Sequence, residues 1–402
     1  MKKLFYLFTI TSVVFFLVGC NPSGKQETKV LNGLSKDTLE LATAAVKKYV
    51  DDGQLAGVSV MVLKNGETVL SEQYGYADLS SEQAINDQTI FRAFSMTKPI
   101  TAAALMILYD EGKFQLDDKV SDYIPEFGNT QVYNPETKTL EPQEKPMTIR
   151  NLLTHTSGLT YGWDTNSYVD SLYREESSSA WEGVLGDKMK LLAGIPLKYQ
   201  PGTKWEYGLS IDVVGYLVEI LSGMPLDEFF KTRIFDPLKM DDTGFYVPEE
   251  KLGRFTSIYS KDKSGELIRP ENAMQDNFKK PATLFSGGGG LVTTVEDYSR
   301  FAQMLLNGGE LEGVRILQEP TVKMIMSDQL PEGVVYEETS GYGLGGSYNT
   351  QNGQYGWSGA ASTFFTVDTE NDMVVLAFTQ FMPFDIGYAL EFNKNVHRAI
   401  VE

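Results

Sequence analysis

The sequence predicts a mixed α/β (α+β) chain. One central antiparallel sheet is built from both termini and flanked by helices, and a mostly helical domain is inserted into it. Three observations predict this. Turn-punctuated, β-rich runs lie near the N-terminus and again in the last hundred residues. Helical periodicity precedes the first run and follows the last. Between them, residues 116–284 lose strand alternation and turn irregular and helical. At 402 residues the chain exceeds what one core usually supports, which predicts two lobes: an α/β domain from 37–115 and 285–402, and the helical domain from 116–284.

The first residues, "MKKLFYLFTITSVVFFLVGC", set two lysines before a fifteen-residue apolar run from Leu4 to Val18. That run is too short to span a bilayer and has the basic flank of a secretory leader, so residues 1–19 read as a signal peptide. It ends Leu17-Val18-Gly19-Cys20, which resembles the lipobox of bacterial lipoproteins. The resemblance implies that Cys20 becomes the mature N-terminus and carries lipid; an ordinary leader with an incidental cysteine is the alternative. The expected location is therefore the bacterial cell envelope, on the periplasmic or surface face of a membrane. Residues 20–36 are polar and turn-rich and read as a tether. With Cys20 the single cysteine, no internal disulfide can form.

"KDTLELATAAVKKYVDDG" (36–53) has helical spacing. "GVSVMVLKNGETVLSEQYGYAD" (57–78) reads as two strands turning at Asn65-Gly66. From Ile100 to Leu108 the chain is apolar nearly all round, as in a buried helix, and Pro99 fits only near the first turn, where a missing N–H costs little. "SIDVVGYLVEILSG" (210–223) predicts a helix stopping at Gly223. "TTVEDYSRFAQMLLNGG" (293–309) predicts another, capped by Thr293 with Glu296 three residues on. "GYGLGGSY" (341–348), "ASTFFTVD" (361–368) and "DMVVLAFTQ" (372–380) read as strands, and "DIGYALEFNKNVHRAIV" as a closing helix.

Charge excludes one class of function. The net charge is −19, and losing Lys2 and Lys3 with the leader makes it −19 − 2 = −21. Such a surface repels phosphate backbones and no basic run counters it, so no nucleic-acid partner is expected.

"FRAFSMTKPI" (91–100) places Ser95 three residues before Lys98, which puts both side chains on one helix face within hydrogen-bond reach. The positive end of the helix dipole favours an alkoxide developing on Ser95, and apolar neighbours strip hydration from Lys98, as a base requires. A capping serine beside a solvent-seeking lysine fits the same four letters.

Context separates the two readings. "FSMTK", "LLTHTSGL" (152–159), "PGTKWEYGLSIDVVGYLVEILSG" (201–223), "SGGGGLVTT" (286–294) and "YGWSGAASTFFTVD" (355–368) together resemble the class C β-lactamase superfamily, nearest to its family VIII carboxylesterases. The resemblance spans residues 38–400 and implies the β-lactamase/transpeptidase-like fold. It also implies a serine hydrolase that forms an acyl-enzyme at Ser95, with Lys98 the activating partner and Tyr207 the general base. Positive charge beside a phenol favours its phenolate, and Lys98 supplies that charge. The Ser95 and Ala360 N–H groups would form the oxyanion hole.

Two departures from the lactamase pattern shape the substrate expectation. Trp357-Ser358-Gly359 stands where the lactamases carry Lys-Thr-Gly, so the lysine that holds a substrate carboxylate is missing. Tyr207-Gly208-Leu209 stands for Tyr-x-Asn, and Leu209 cannot donate to an acylamino group. With Trp357, Ser358, Gly359 and Leu209 as substrate-binding positions, the pocket suits small esters or amides better than penicillins, and no cofactor is needed. The alternatives are a peptidoglycan-directed D-aminopeptidase or carboxypeptidase, a weak β-lactamase, or a penicillin-binding receptor that does not turn over.

Other patterns carry less. "GWSGA" (356–360) nearly spells a nucleophile elbow, but strand residues follow it rather than a helix. "GYGLGG" (341–346) matches a dinucleotide fingerprint without a strand–helix–strand setting. Gly287 to Gly290 read as close backbone packing near the site. His155 reads as structural and His397 as exposed on the last helix. Two distant histidines and one cysteine do not make a zinc site.

Overall fold

The computed structural model describes residues 30–176 and 182–401, so the leader, Cys20 and the tether up to residue 29 lie outside the described residues. Residues 30–35, read as tether, form a small antiparallel pair of Val30–Leu31 with Leu34–Ser35. Ser35 then caps helix α1 (Lys36–Asp51), its hydroxyl accepting from the Thr38 N–H at 3.3 Å.

Strands β1 (Gly57–Lys64) and β2 (Glu67–Asp78) form the expected hairpin. Asn65 and Gly66 adopt φ of 54° and 77°, the two successive positive values that a tight hairpin turn demands. Strand β3 (Gln83–Ala84) follows, then helix α2 (Thr97–Asp110), whose residues Thr97 to Leu108 are all buried. Helix α3 (Ser210–Ser222) ends at a left-handed Gly223, as expected, and helix α4 (Val295–Leu306) comes later. The C-terminal run supplies β4 (Ser340–Tyr342), β5 (Ser347–Asn349), β6 (Gln354–Ser358), β7 (Phe364–Asp368), β8 (Met373–Phe378) and helix α5 (Gly387–Arg398).

These strands make one eight-stranded sheet in the order β4-β5-β6-β7-β8-β1-β2-β3. Every neighbour is antiparallel. The termini meet where β8 pairs with β1, Val375 opposite Val62. Strand alternation divides the core between the two faces. Val58, Val60, Val62, Met373 and Val375 pack under α1 and α5, while Met61, Leu63, Val374, Leu376 and Phe378 join a larger cluster on the other face. That cluster runs unbroken through α2 into Leu152, Val214 and Phe229 of the helical region. A helix apolar all round can bury one side against the sheet layer and the other against α3.

Two boundaries differ from expectation for local reasons. Thr294, not Thr293, caps α4, with its hydroxyl accepting from the Asp297 N–H at 3.0 Å. Thr293 is held in a short antiparallel pair with Phe91, so the cap falls one residue later. Residues 341–348 form parts of two strands rather than one, because the Gly-rich middle turns back and sets Tyr342 opposite Ser347.

Candidate active site

Ser95 lies in a 3₁₀ turn, Phe94–Met96, immediately before α2. Three contacts hold the turn in place. The short pair of Phe91–Arg92 with Val292–Thr293 leads into it. Tyr298 Oη, reaching across from α4, donates to the Met96 carbonyl at 2.8 Å. The Leu291 N–H donates to Thr97 Oγ1 at 3.1 Å. Phe94, just before the serine, sits at φ 44°, a strained conformation for a bulky residue of a kind that collects at functional sites.

Lys98 is fully buried, and its Nζ has three hydrogen-bond partners: Ser95 Oγ at 3.1 Å, Tyr161 Oη at 3.1 Å and the Gly288 carbonyl at 2.6 Å. Tyr207 Oη donates to Ser95 Oγ at 2.7 Å, and Lys98 Nζ lies 4.7 Å from the centre of the Tyr207 ring. The hydroxyl, amine and phenol named from the sequence therefore meet around one oxygen. Ala360, Trp357, Ser358 and Gly359 line the same cleft as Ser95 and Tyr207, a space of about 710 Å³ along the outer strands. The approach of β6 to the serine turn is close: a Cβ on Gly359 would stand 2.3 Å from the Ala93 carbonyl oxygen.

Leu209 is the exception. It lies at the entry to α3, is buried in the large core and is not among the residues lining the cleft. The chain enters the helix there, so the motif's third residue is carried into the core while Tyr207 faces the serine.

Several site residues were not picked out from the sequence. Tyr161 sits in an irregular segment, 63 positions from Lys98, where no periodicity marks it. Burial, reinforced by the neighbouring Tyr207 and Asp212, raises its phenol well above the ordinary range, so it remains neutral. Asp212, 1% exposed on α3, accepts from Ser286 Oγ at 2.6 Å and from the Gly288 N–H at 3.3 Å. A Cβ on Gly288 would come within 2.5 Å of Asp212 Oδ2. The glycine run read as close packing is thus the loop whose Gly288 carbonyl holds Lys98.

The segments carrying Tyr161 and Tyr207 are clamped together. Lys198 Nζ bridges Glu206 at 2.9 Å and the fully buried Asp170 at 3.1 Å, while Thr160 Oγ1 donates to both of those carboxylates. Trp163 stacks on Tyr161, and Trp205 stacks on Tyr207.

Neither histidine offers a triad. His155 is fully buried against Tyr207, ring centres 4.9 Å apart, and its ring nitrogens have no partner among the described residues. Burial, then the charge of Lys98, holds it well below its ordinary value, so it is neutral. His397 is not exposed as expected: its side chain is 22% accessible and pairs with Asp368 at 2.9 Å, which ties α5 to β7. Among the described residues no group of three or more His, Cys, Asp or Glu side chains could hold a metal ion.

An antiparallel sheet closed by both termini, with a buried lysine one helical turn after a serine at its edge, defines the β-lactamase/transpeptidase-like class of fold. The chain belongs to the beta-lactamase family, whose model matches residues 42–392. Among its relatives, protein Rv1367c of Mycobacterium tuberculosis is 31% identical over 367 residues, covering 85% of this chain and 89% of the relative. Esterase EstB of Burkholderia gladioli is 29% identical over 339 residues, covering 78% and 80% respectively. The solved structure of EstCE1, a hydrolase with promiscuous acyltransferase activity, superposes with a TM-score of 0.77 at 24% identity, over 90% of this chain and 99% of its own.

Proposed function

We propose that the protein is a serine hydrolase acting through an acyl-enzyme at Ser95, and that its substrates are small carboxylic esters or amides. The observation that carries this reading is the pair of hydrogen bonds converging on Ser95 Oγ, from Tyr207 at 2.7 Å and from Lys98 at 3.1 Å. A serine is a weak nucleophile until an adjacent group accepts its proton. Here the Lys98–Tyr207 pair, in the state that holds one proton fewer than an ammonium and a phenol together, accepts it as Oγ attacks the acyl carbon. The Ser95 and Ala360 N–H groups stabilise the oxyanion. The pair then returns the proton to the departing alkoxide, leaving an ester on Ser95. Water then attacks that ester, giving a proton to the pair; the bond to Ser95 Oγ breaks, the carboxylic acid leaves and the pair returns the proton to the serine oxygen.

The kinship with EstB supports an esterase, as does the indole of Trp357 in the cleft wall where a lactamase holds its substrate's carboxylate with lysine. Purified protein offered p-nitrophenyl acyl esters, a chromogenic cephalosporin and a D-alanyl dipeptide tests the assignment. The expected result is ester turnover that falls about 10⁴-fold or more in Ser95→Ala. Fast cephalosporin or dipeptide cleavage with negligible ester turnover would reassign the protein to lactam or peptidoglycan chemistry. A stable adduct without turnover would make it a receptor.

We also propose that the mature protein is held at an envelope membrane by lipid on Cys20. Expression in a bacterial host with labelled palmitate should mark the wild type and leave Cys20→Ser unlabelled and released from the membrane fraction. Equal labelling of both would remove the anchor.

A further inference from the structure

The charge inventory of the cleft is one-sided. Among the described residues that line it, Glu337 is the single one with a formal charge. The mouth carries more acid: Glu338 and Asp385 are exposed and directly follow the lining residues Glu337 and Phe384, while Asp164, after Trp163, is paired with Lys198 at 3.7 Å. Lys98 is buried beneath Ser95 with Nζ held by Ser95, Tyr161 and Gly288, so it has no donor left to hold a substrate carboxylate.

Around the nucleophile the wall is aromatic. Trp163 and Trp357 have ring centres 5.8 Å and 5.7 Å from that of Tyr207, and Tyr336 lies 6.3 Å from Trp357. Trp163 is 69% exposed although one of its faces is stacked on Tyr161. Electron-rich ring faces next to a carboxylate attract a cation, most strongly one that is weakly hydrated. Glu337 in the same wall repels a carboxylate, and among the described residues that line the cleft there is no lysine, arginine or histidine to offset it.

We propose that the acyl-enzyme site selects esters carrying an alkylammonium group, seated between Trp163, Tyr336 and Trp357 with Glu337 as its counter-charge, and that it rejects esters carrying a free carboxylate. This rests on the esterase reading. Tyr207 belongs both to this aromatic wall and to the catalytic pair, so the cation would lie within a few atoms of the scissile bond. A choline-type ester, with two carbons between oxygen and nitrogen, has that spacing.

The test compares matched esters of one acid: the choline ester, its uncharged carbon isostere (the neohexyl ester, tert-butyl in place of trimethylammonium) and the carboxymethyl ester. Wild type should turn over the choline ester with kcat/KM about tenfold above the neohexyl ester, and the carboxymethyl ester should fall below both. The preference should shrink as salt rises from about 50 mM to about 500 mM, and Glu337→Gln should reduce the ratio about threefold. Tyr336→Leu should reduce it as well. Calorimetric titration of Ser95→Ala with choline and with neohexanol reads the same selectivity without chemistry. Tighter binding of choline with no ester turned over by wild type would keep the cation site and discard the esterase. Ester turnover with a choline-to-neohexyl ratio at or below one, or equal binding of the two alcohols to Ser95→Ala, overturns the cation site and leaves the esterase standing.

Discussion

The three partners of Lys98 Nζ are all neutral groups: Ser95 Oγ, Tyr161 Oη and the Gly288 carbonyl. Asp212 is the buried carboxylate on that side, and it acts through the glycine loop rather than by touching the lysine. Its hydrogen bonds to Ser286 and Gly288 fix where the Gly288 carbonyl points, and that carbonyl fixes Lys98. Asp212 is therefore a positioning residue. Asp212→Asn keeps an acceptor for Ser286 but removes the charge. Steady-state kinetics on a p-nitrophenyl ester should show kcat reduced by up to about 100-fold with KM little changed. A thermal midpoint near that of wild type would separate misplacement from unfolding, and an unaltered kcat would remove Asp212 from the account. In the proposed mechanism the Tyr207 phenol carries the proton, so Tyr207→Phe, which keeps the ring, should lower kcat by about 10²–10⁴. Much of this scale was legible in advance. Ser95, Lys98 and Tyr207 were marked by spacing and by resemblance, because motif letters record chemistry. Tyr161 and Asp212 were not, since one lies in an irregular stretch and the other looks like an ordinary helix position. Only folding brings them to the lysine. Leu209 shows the converse, a motif position that the chain path carries away from the cleft.

Among the elements, α5 illustrates how a buried ion pair fastens a terminal helix to a sheet. Burial alone would lower the His397 imidazole, but its hydrogen bonds to Asp368 and to the Asn393 carbonyl carry it above the ordinary 6.5. Asp368 is buried too, yet hydrogen bonds from His397 and Asn371 hold it below the ordinary 3.8. The signs set a window. A histidine whose folded pKa is raised contributes fully below about 6.5, and the contribution is lost as pH rises through the higher folded value. The aspartate contributes above about 3.8 and loses its contribution as pH falls through its lowered value. Thermal melts of wild type and His397→Gln should therefore differ most near pH 5–6, and the gap should narrow by pH 8.5. A gap that widens with pH would contradict the pairing. No local pattern marks this pair, because Asp368 and His397 lie on separate elements 29 residues apart. The β1–β2 hairpin was readable because Asn65-Gly66 is itself the turn. The cap of α4 falls at Thr294, one residue after the capping pattern, because a strand pairing at Thr293, invisible locally, outranks that pattern.

Over the whole molecule, α2 is both the stalk of the nucleophile and the centre of the shared core. Leu105 is 0% exposed and belongs to the cluster that joins sheet and helical region. Leu105→Ala should cost about 2–5 kcal/mol of stability. Because the core is continuous, calorimetry should show one unfolding transition shifted as a unit, and two separated transitions would contradict a shared core. The sheet built from both termini was foreseeable from the placement of β-rich runs. The continuity of the core was not, because periodicity shows that a helix is buried and not how many partners bury it. The architecture also holds the Ser95 turn from several sides: it is tied to α4, to the Val292–Thr293 pair and to Gly359 just after β6.

The most direct test of the central claim is the mass of the protein quenched during turnover of a slowly deacylated p-nitrophenyl ester. The mass should rise by one acyl group, located by peptide mapping to Ser95, absent from Ser95→Ala and short-lived enough to match kcat. An acyl group found on any other residue, or undiminished turnover in Ser95→Ala, would contradict it.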